Sequence, residues 1–229
     1  MIAKAALVII GGYLLGSIPT AYLVARLVSG IDIRKFGSGQ IGTSNLFRMT
    51  SLRVSLPVAF FDMGKAMIMI WAARLMGLSI AIQVAAGLAA IIGHNWPVFL
   101  RFNGGRGIIT TLGVILFLDP RLAGIGLTIT AIGVLITHGT AVGVLISLIV
   151  LPLISWGLAN PLALTLGLVA FLLIAIIRRL AAPRSAETPV SRRELMLNRL
   201  IHDRDISEKQ AWIYRNRPPA NTNRKEETP

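Results

Sequence analysis

The chain contains no cysteine, which excludes disulfide staples and any thiolate metal site. Charge is scarce as well. Asp, Glu, Lys and Arg make up 14% of 229 residues, against about 25% in a soluble domain. Three histidines, His94, His138 and His202, lie far apart with no His-x-x-x-His spacing. A catalytic zinc is therefore not expected, and no metal or other cofactor is assigned. No cleavable signal peptide is expected, because a single Lys4 precedes a first apolar run that continues far past a signal's length. No inverted repeat is evident, which argues against a transporter built from two matched halves.

What the chain does contain is apolar length. Hydrophobic residues are 54% of the total and mean hydropathy is +0.70, so the expected class is an all-α, polytopic membrane protein. About seven apolar segments can be read, at 2–28, 52–76, 80–100, 108–118, 121–137, 140–157 and 162–177. The fourth is short for a span, which needs about 20 residues, so tilting or re-entry is expected there. Gly11, Gly12 and Gly16 read as close-packing positions and Pro19 as a kink. Two units are expected, a transmembrane domain over 1–180 and a polar tail over 181–229 with one amphipathic helix near 191–214. Trp71, Trp96 and Trp156 read as interfacial anchors.

The formal charge of +13 could suggest nucleic acid, but 12 of the 23 Lys and Arg residues follow Ile177 and most others flank apolar spans. That pattern signals topology and anionic lipid, so no nucleic-acid partner is expected. Arg26, Arg34, Lys35, Arg48, Arg53, Arg101, Arg106, Arg178, Arg179 and the tail fall on one side, and Lys4, Arg74 and Arg121 on the other. The N-terminus is thus expected outside and the tail in the cytoplasm. An odd number of spans follows, which favours seven over six.

Two stretches carry chemistry. Gly93–Gly113 places His94 and Asn95 at the end of an apolar run, then Gly104-Gly105-Arg106-Gly107 before Ile108-Ile109-Thr110-Thr111. Glycines around one arginine, ahead of a helix N-terminus, can converge N–H groups and a guanidinium on a phosphate. A plain glycine-rich turn with two anchoring arginines is the competing reading. Residues 36–48, FGSGQIGTSNLFR, repeat the theme with Ser38, Gln40, Thr43, Ser44, Asn45 and Arg48. Small polar donors and one arginine suit a polyhydroxyl or phosphate ligand, and a solvated loop is the alternative. Asp62 and Lys65, three apart in the second span, share a helix face. Charge inside a bilayer points to function, although a self-neutralised structural pair fits better than direct catalysis. His138 reads as a surface residue at a turn.

Gly37-Ser38-Gly39-x-Ile41-Gly42-x-x-Asn45-x-x-Arg48 resembles the first motif of the bacterial acyl-phosphate-dependent glycerol-3-phosphate acyltransferases. Gly93-His94-Asn95-Trp96-Pro97-Val98-Phe99, followed by Phe102-x-Gly104-Gly105-Arg106-Gly107, resembles the second. The resemblance covers residues 1 to about 180, and the family's Asp-x-x-Lys matches Asp62 and Lys65. It implies seven membrane helices and a cytoplasm-facing site in the bacterial plasma membrane. The reaction it implies moves a fatty acyl group from acyl phosphate to the 1-hydroxyl of glycerol 3-phosphate, giving lysophosphatidic acid and phosphate. Ser38, Arg48, His94 and Arg106 would then be catalytic. Asn45, Asn95, Gly104, Gly105 and Gly107 would bind substrate, and His94 could serve as a general base. Departures are Gln40 for asparagine, Thr43-Ser44 for Ala-Thr and Arg106 for lysine. The family's third motif, His-x-x-Asn-Ile-x-Arg-Leu, aligns only with Arg193–Leu200. There Arg199-Leu200 match and the histidine and asparagine do not, leaving Asn198 or His202 as substitutes after a shift. A small-anion transporter and a non-catalytic lipid-binding scaffold are the alternatives.

Overall fold

A computed structural model describes residues 1–182 and 190–214. All regular structure among them is helical. The first apolar run is broken at Ser17–Pro19 into α1 (Ile2–Gly16) and α2 (Thr20–Ser29), as Pro19 predicts, since its ring removes an N–H and clashes with the preceding turn. After a first polar connection come the short α3 (Thr43–Met49) and the long α4 (Leu52–Leu75). The next helices are α5 (Ile80–Asn95), α6 (Ile108–Leu118), α7 (Pro120–Thr137), α8 (Thr140–Gly157) and α9 (Leu162–Leu180).

Among the described residues, six segments are long and apolar enough to cross a membrane, with α1 and α2 counted as one. The seventh apolar segment, α6, has 11 residues, or about 16 Å at 1.5 Å per residue, roughly half a bilayer core. It packs inside the bundle against α4, α5 and α7 and contributes Val114 and Ile115 to the central core with Ile70, Ile91, Leu122 and Phe171. Large apolar side chains such as Leu135, Ile136, Leu153, Trp156 and Leu166 face outward, the surface that lipid tails would cover.

Small residues set the tightest crossing. A Cβ at Gly16 would run into the Ala90 carbonyl, and one at Gly93 into the Tyr13 carbonyl. α1 and α5 therefore touch backbone to backbone, which brings the His94 end of α5 against the α1–α2 break. Buried hydroxyls tie other pairs together: Ser147 Oγ donates to the Gly126 carbonyl at 3.1 Å, and Ser155 Oγ meets Thr165 Oγ1 at 2.8 Å.

Two expectations change. Trp71 and Trp156 are exposed near helix ends, but Trp96 is half-buried. Its carbonyl accepts from Tyr13 Oη at 3.0 Å, and the Arg178 guanidinium lies 5.9 Å from its ring. It is an internal platform, not an anchor. The single helix expected over 191–214 is two, α10 (Arg192–His202) and α11 (Lys209–Tyr214). Asp203 ends α10 in the left-handed conformation at φ 56°. The described tail also packs on the bundle: Arg199 Nη1 donates to the Leu180 carbonyl and Arg179 Nη1 to the Leu200 carbonyl.

Candidate active site

The first loop is built by one side chain. Asp32 caps a 3-10 turn over Ile33–Lys35 and pairs with Arg34 in two hydrogen bonds of 2.9 and 2.7 Å, which hold the Asp32 carboxyl below its usual range. Gly37 and Gly39 then take positive φ, 57° and 69°. Asn45 on α3 reaches back into this ring. Its Nδ2 faces the carbonyls of Ile33, Phe36 and Gln40, and its Oδ1 accepts from the Ser38 N–H at 3.2 Å. That engages the amide's two donors and its acceptor. Asn45, expected to hold substrate, also shapes the loop that presents Ser38.

The second loop is built from a distance. Arg178 on α9 donates through Nε to the Gly105 carbonyl at 2.9 Å and through Nη2 to the Gly104 carbonyl at 2.7 Å. Arg106 answers with Nη1 on the Arg178 carbonyl at 2.6 Å, while its Nη2 lies 2.8 Å from Asp203 Oδ1 of the tail. Burial pushes the Arg106 guanidinium below its ordinary range, and Asp203 counters this. A Cβ at Gly105 would overlap His94 Nε2 and the Ile41 carbonyl, and one at Gly104 would overlap the His94 carbonyl. Gly107 sits at φ 70° as the N-cap of α6, with the Asn95 amide beside it.

Both loops open onto one cavity of about 340 Å³ at one end of the bundle. Ser38, Asn45, Arg48, His94, Arg106 and Gly107 line it, as does the first turn of α6 through Ile108 and Ile109. These are residues the sequence singled out, drawn together from two loops. Gly104, Gly105 and Asn95 stand behind the wall; the first two act through their carbonyls and the space they leave. Arg179, Asp62, the Gly139–Thr140 turn, His202, Asp203, Arg204 and Trp212 also line it. Sequence reasoning missed Arg178 and Arg179, because a basic pair closing a last span looks the same whether it anchors in lipid or folds inward. Here both are buried. Thr43 Oγ1 and Arg106 Nε are buried without a hydrogen-bond partner among the described residues, and the α6 N-terminus offers further N–H groups. The arrangement can take up an oxygen-rich anion.

A second, apolar cavity of about 110 Å³ lies between α6, α7 and α8. It shares Ile108, Ile109 and Val144 with the first. Together the two form a cationic head site with an apolar annex.

This fold and site define an integral membrane protein with a phosphate-suited cavity that opens toward an apolar groove. The family model described as Glycerol-3-phosphate acyltransferase matches residues 6–184. Glycerol-3-phosphate acyltransferase 5 of Dehalococcoides mccartyi is 44% identical over 219 residues, covering 92% of this chain and 93% of that one. Glycerol-3-phosphate acyltransferase of Thermus thermophilus is 46% identical over 135 residues, covering 57% of this chain and 67% of its own. The crystal structure of PlsY, an integral membrane glycerol 3-phosphate acyltransferase, in its glycerol 3-phosphate form is 28% identical with a TM-score of 0.71. The match covers 76% of this chain and 88% of that one. Its lysophosphatidic acid form gives 27% and 0.69, over 76% of this chain and 87% of that one. The chain belongs to the glycerol-3-phosphate acyltransferase family.

The tail bears on the two substitutes left for the third motif, Asn198 and His202. Asn198 is buried and donates to the Asp205 carbonyl, and Arg199 Nε pairs with Asp205 Oδ1 at 2.8 Å. Neither lines the cavity, whereas His202 does. Placing His202 on the motif's histidine gives His202-x-x-Asp205-Ile206, with aspartate for asparagine, and puts Glu208-Lys209 where the motif has Arg-Leu.

Proposed function

We propose that this protein transfers a fatty acyl group from acyl phosphate to the 1-hydroxyl of glycerol 3-phosphate, releasing phosphate and lysophosphatidic acid. The observation that carries this is the meeting of Ser38 and Arg48 with Arg106 and the α6 N-terminus in one cavity that adjoins an apolar groove. An acyl phosphate is a mixed anhydride with a good leaving group. The glycerol hydroxyl adds to its carbonyl carbon, the bond from that carbon to the phosphate oxygen breaks, and the hydroxyl proton leaves with phosphate. Alignment and charge neutralisation then matter more than a strong base. Arg48, Arg106, Arg179 and Arg204 supply positive charge for two phosphates, and Asp203 balances part of it. Ser38 orients the acceptor, and the acyl chain runs along the groove between α6, α7 and α8. His202 takes the place of the third motif's histidine.

The site is assigned to the cytoplasmic face of the bacterial plasma membrane, on the charge asymmetry of the loops. Single cysteines at Ser44 and Asn103 should be labelled from the cytoplasmic side only, and one at Leu158 from outside. Labelling of Ser44 and Asn103 from opposite faces would reject the shared site. The decisive assay uses purified protein with a long-chain acyl phosphate and labelled glycerol 3-phosphate. Labelled lysophosphatidic acid and phosphate should form one to one. Product only from a thioester donor would overturn the donor assignment. Anion flux in sealed vesicles without product would favour a transporter.

A further inference from the structure

Beside the cavity, two ionisable side chains of α4 converge on His94. Lys65 Nζ lies 2.9 Å from Asp62 Oδ1, 3.0 Å from His94 Nδ1 and 3.2 Å from the Ile18 carbonyl oxygen. The carbonyl is available because α1 breaks before Pro19. Asp62 Oδ1 also accepts from Thr20 Oγ1 at 3.2 Å. The side chains of Asp62 and Lys65 are almost wholly buried.

An ammonium group has three N–H donors and accepts nothing. Lys65 faces three acceptors at three hydrogen-bond distances, so each receives one proton. One of the three is His94 Nδ1, which must present its lone pair. The imidazole proton is thereby placed on Nε2. A ring protonated on both nitrogens would set N–H against N–H at 3.0 Å. Nε2 is the edge that faces the second loop, where a Cβ at Gly105 would overlap it, and His94 lines the cavity. A buried structural pair would also need acceptors for all three N–H groups; what singles out the Nδ1 contact is that its acceptor belongs to a ring lining the cavity.

We propose that Asp62 and Lys65 are positioning residues that hold His94 as the neutral Nε2–H tautomer. His94 then meets substrate as a fixed hydrogen-bond donor to a carbonyl or phosphate oxygen, and it does not act as the base. The proposal rests on the acyl-transfer reading above for its consequence, but not for the tautomer itself. The groups facing the ring are Asp62 and Lys65 from α4 and the Arg178 charge from α9. Nearby, Tyr13 of α1 donates to the Trp96 carbonyl, and Ser17, just past the end of α1, donates to the Tyr13 carbonyl.

The wild-type tautomer is read directly. In the full chain labelled with 15N-histidine and held in detergent, with His94 identified by the signals lost in His94→Gln, Nδ1 should be bare and Nε2 protonated. Both should hold from about pH 5.5 to 8.5, which brackets an ordinary imidazole. A protonated Nδ1, or a ring that titrates in that range, overturns the proposal.

Kinetics test the role. Lys65→Met removes the donor at Nδ1, and Asp62 Oδ1, 3.8 Å from that nitrogen, then draws Nδ1–H. The neutral ring now has a bare Nε2, and only the imidazolium still donates there. The ratio of variant to wild-type kcat should be highest at acid pH and fall about tenfold per unit above the imidazole pKa. A base at His94 predicts a ratio that rises with pH, and that result would overturn the donor role. His94→Gln can place an amide N–H near Nε2 and should stay within about tenfold of wild type. His94→Phe should lose about 100- to 1,000-fold, the usual effect of removing one such donor. Equal losses in the two variants also overturn it. If wild type makes no acylated product, the acyl-transfer reading fails, and the nitrogen spectrum still decides the tautomer.

Discussion

The two glycine-rich loops look alike in sequence and are held in opposite ways. Loop 36–48 is closed by Asn45, whose partners all lie within 12 residues of it. Loop 93–107 is closed by Arg178, 73 and 74 residues further along the chain. Their arginines differ in the same sense. Arg48 stands exposed at the mouth of the cavity, whereas Arg106 is half-buried and ion-paired with Asp203 of the tail. One loop carries its fastener with it and places its arginine at the exposed mouth of the cavity. The other borrows both its fastener and its counter-charge from the last span and the tail. A shared look of glycines around one arginine therefore says what a loop can contact, but not what holds it in place.

Gly105→Val should break both loops at once, because the added side chain meets His94 and the Ile41 carbonyl. Overpacking costs about 1–3 kcal/mol, and misplacing reacting groups by about 1 Å costs about 100-fold. A fall in kcat/KM of about 100- to 1,000-fold is expected. Near-normal turnover would mean that the loops do not bear on each other during reaction.

Arg178→Ala separates the two fastenings. It removes two charge-assisted hydrogen bonds of about 1.5–3 kcal/mol each. Thermal stability should drop by several degrees and kcat/KM by about 100-fold. Hydrogen exchange should rise in 104–107 and stay unchanged in 37–45. Equal loosening of both loops would dissolve the distinction between local and distant closure.

Arg48→Ala removes charge from the cavity at an exposed side chain. A loss of about 10- to 150-fold in kcat/KM is expected, from about 1.5–3 kcal/mol of charged hydrogen bonding. Arg34→Ala is the control. Arg34 pairs with Asp32 and lies over Tyr22 outside the cavity, so its loss should change kcat/KM by less than about twofold, in the range of surface ion pairs. Matching losses in the two variants would reject Arg48 as a phosphate ligand.

The smallest expected change among the site residues is in Asp203→Asn. Removing the carboxylate beside Arg106 should lower the KM for glycerol 3-phosphate by about threefold, a fraction of one charged hydrogen bond. The melting temperature should fall slightly as the tail loosens. An unchanged KM would show that Arg106 serves the fold and not the ligand.

Much of this was legible along the chain because it depends on local pattern. The lack of charge and the apolar run lengths marked the membrane class, and the segment limits near 76–80, 119 and 157–162 followed from Gly, Asp-Pro and Asn-Pro breaks. Ser38, Arg48, His94 and Arg106 stood out because they fall in two polar, glycine-rich stretches between apolar runs that resemble the family's motifs. Only the tertiary structure decided how those side chains are used. It made Asn45 the staple of its own loop, drew Arg178 inward to hold Gly104 and Gly105, and gave Arg106 a partner in Asp203. It brought His202 to the cavity across a tail that pattern alone read as one free helix. It also set Lys65 against His94 Nδ1, from residues 29 apart in the chain. The physical reason is range. Hydropathy, glycine freedom and proline breaks act over one turn or one span and are written in adjacent residues. Hydrogen-bond partners and charge neutralisation depend on which helix ends meet, and that is settled only when the bundle packs.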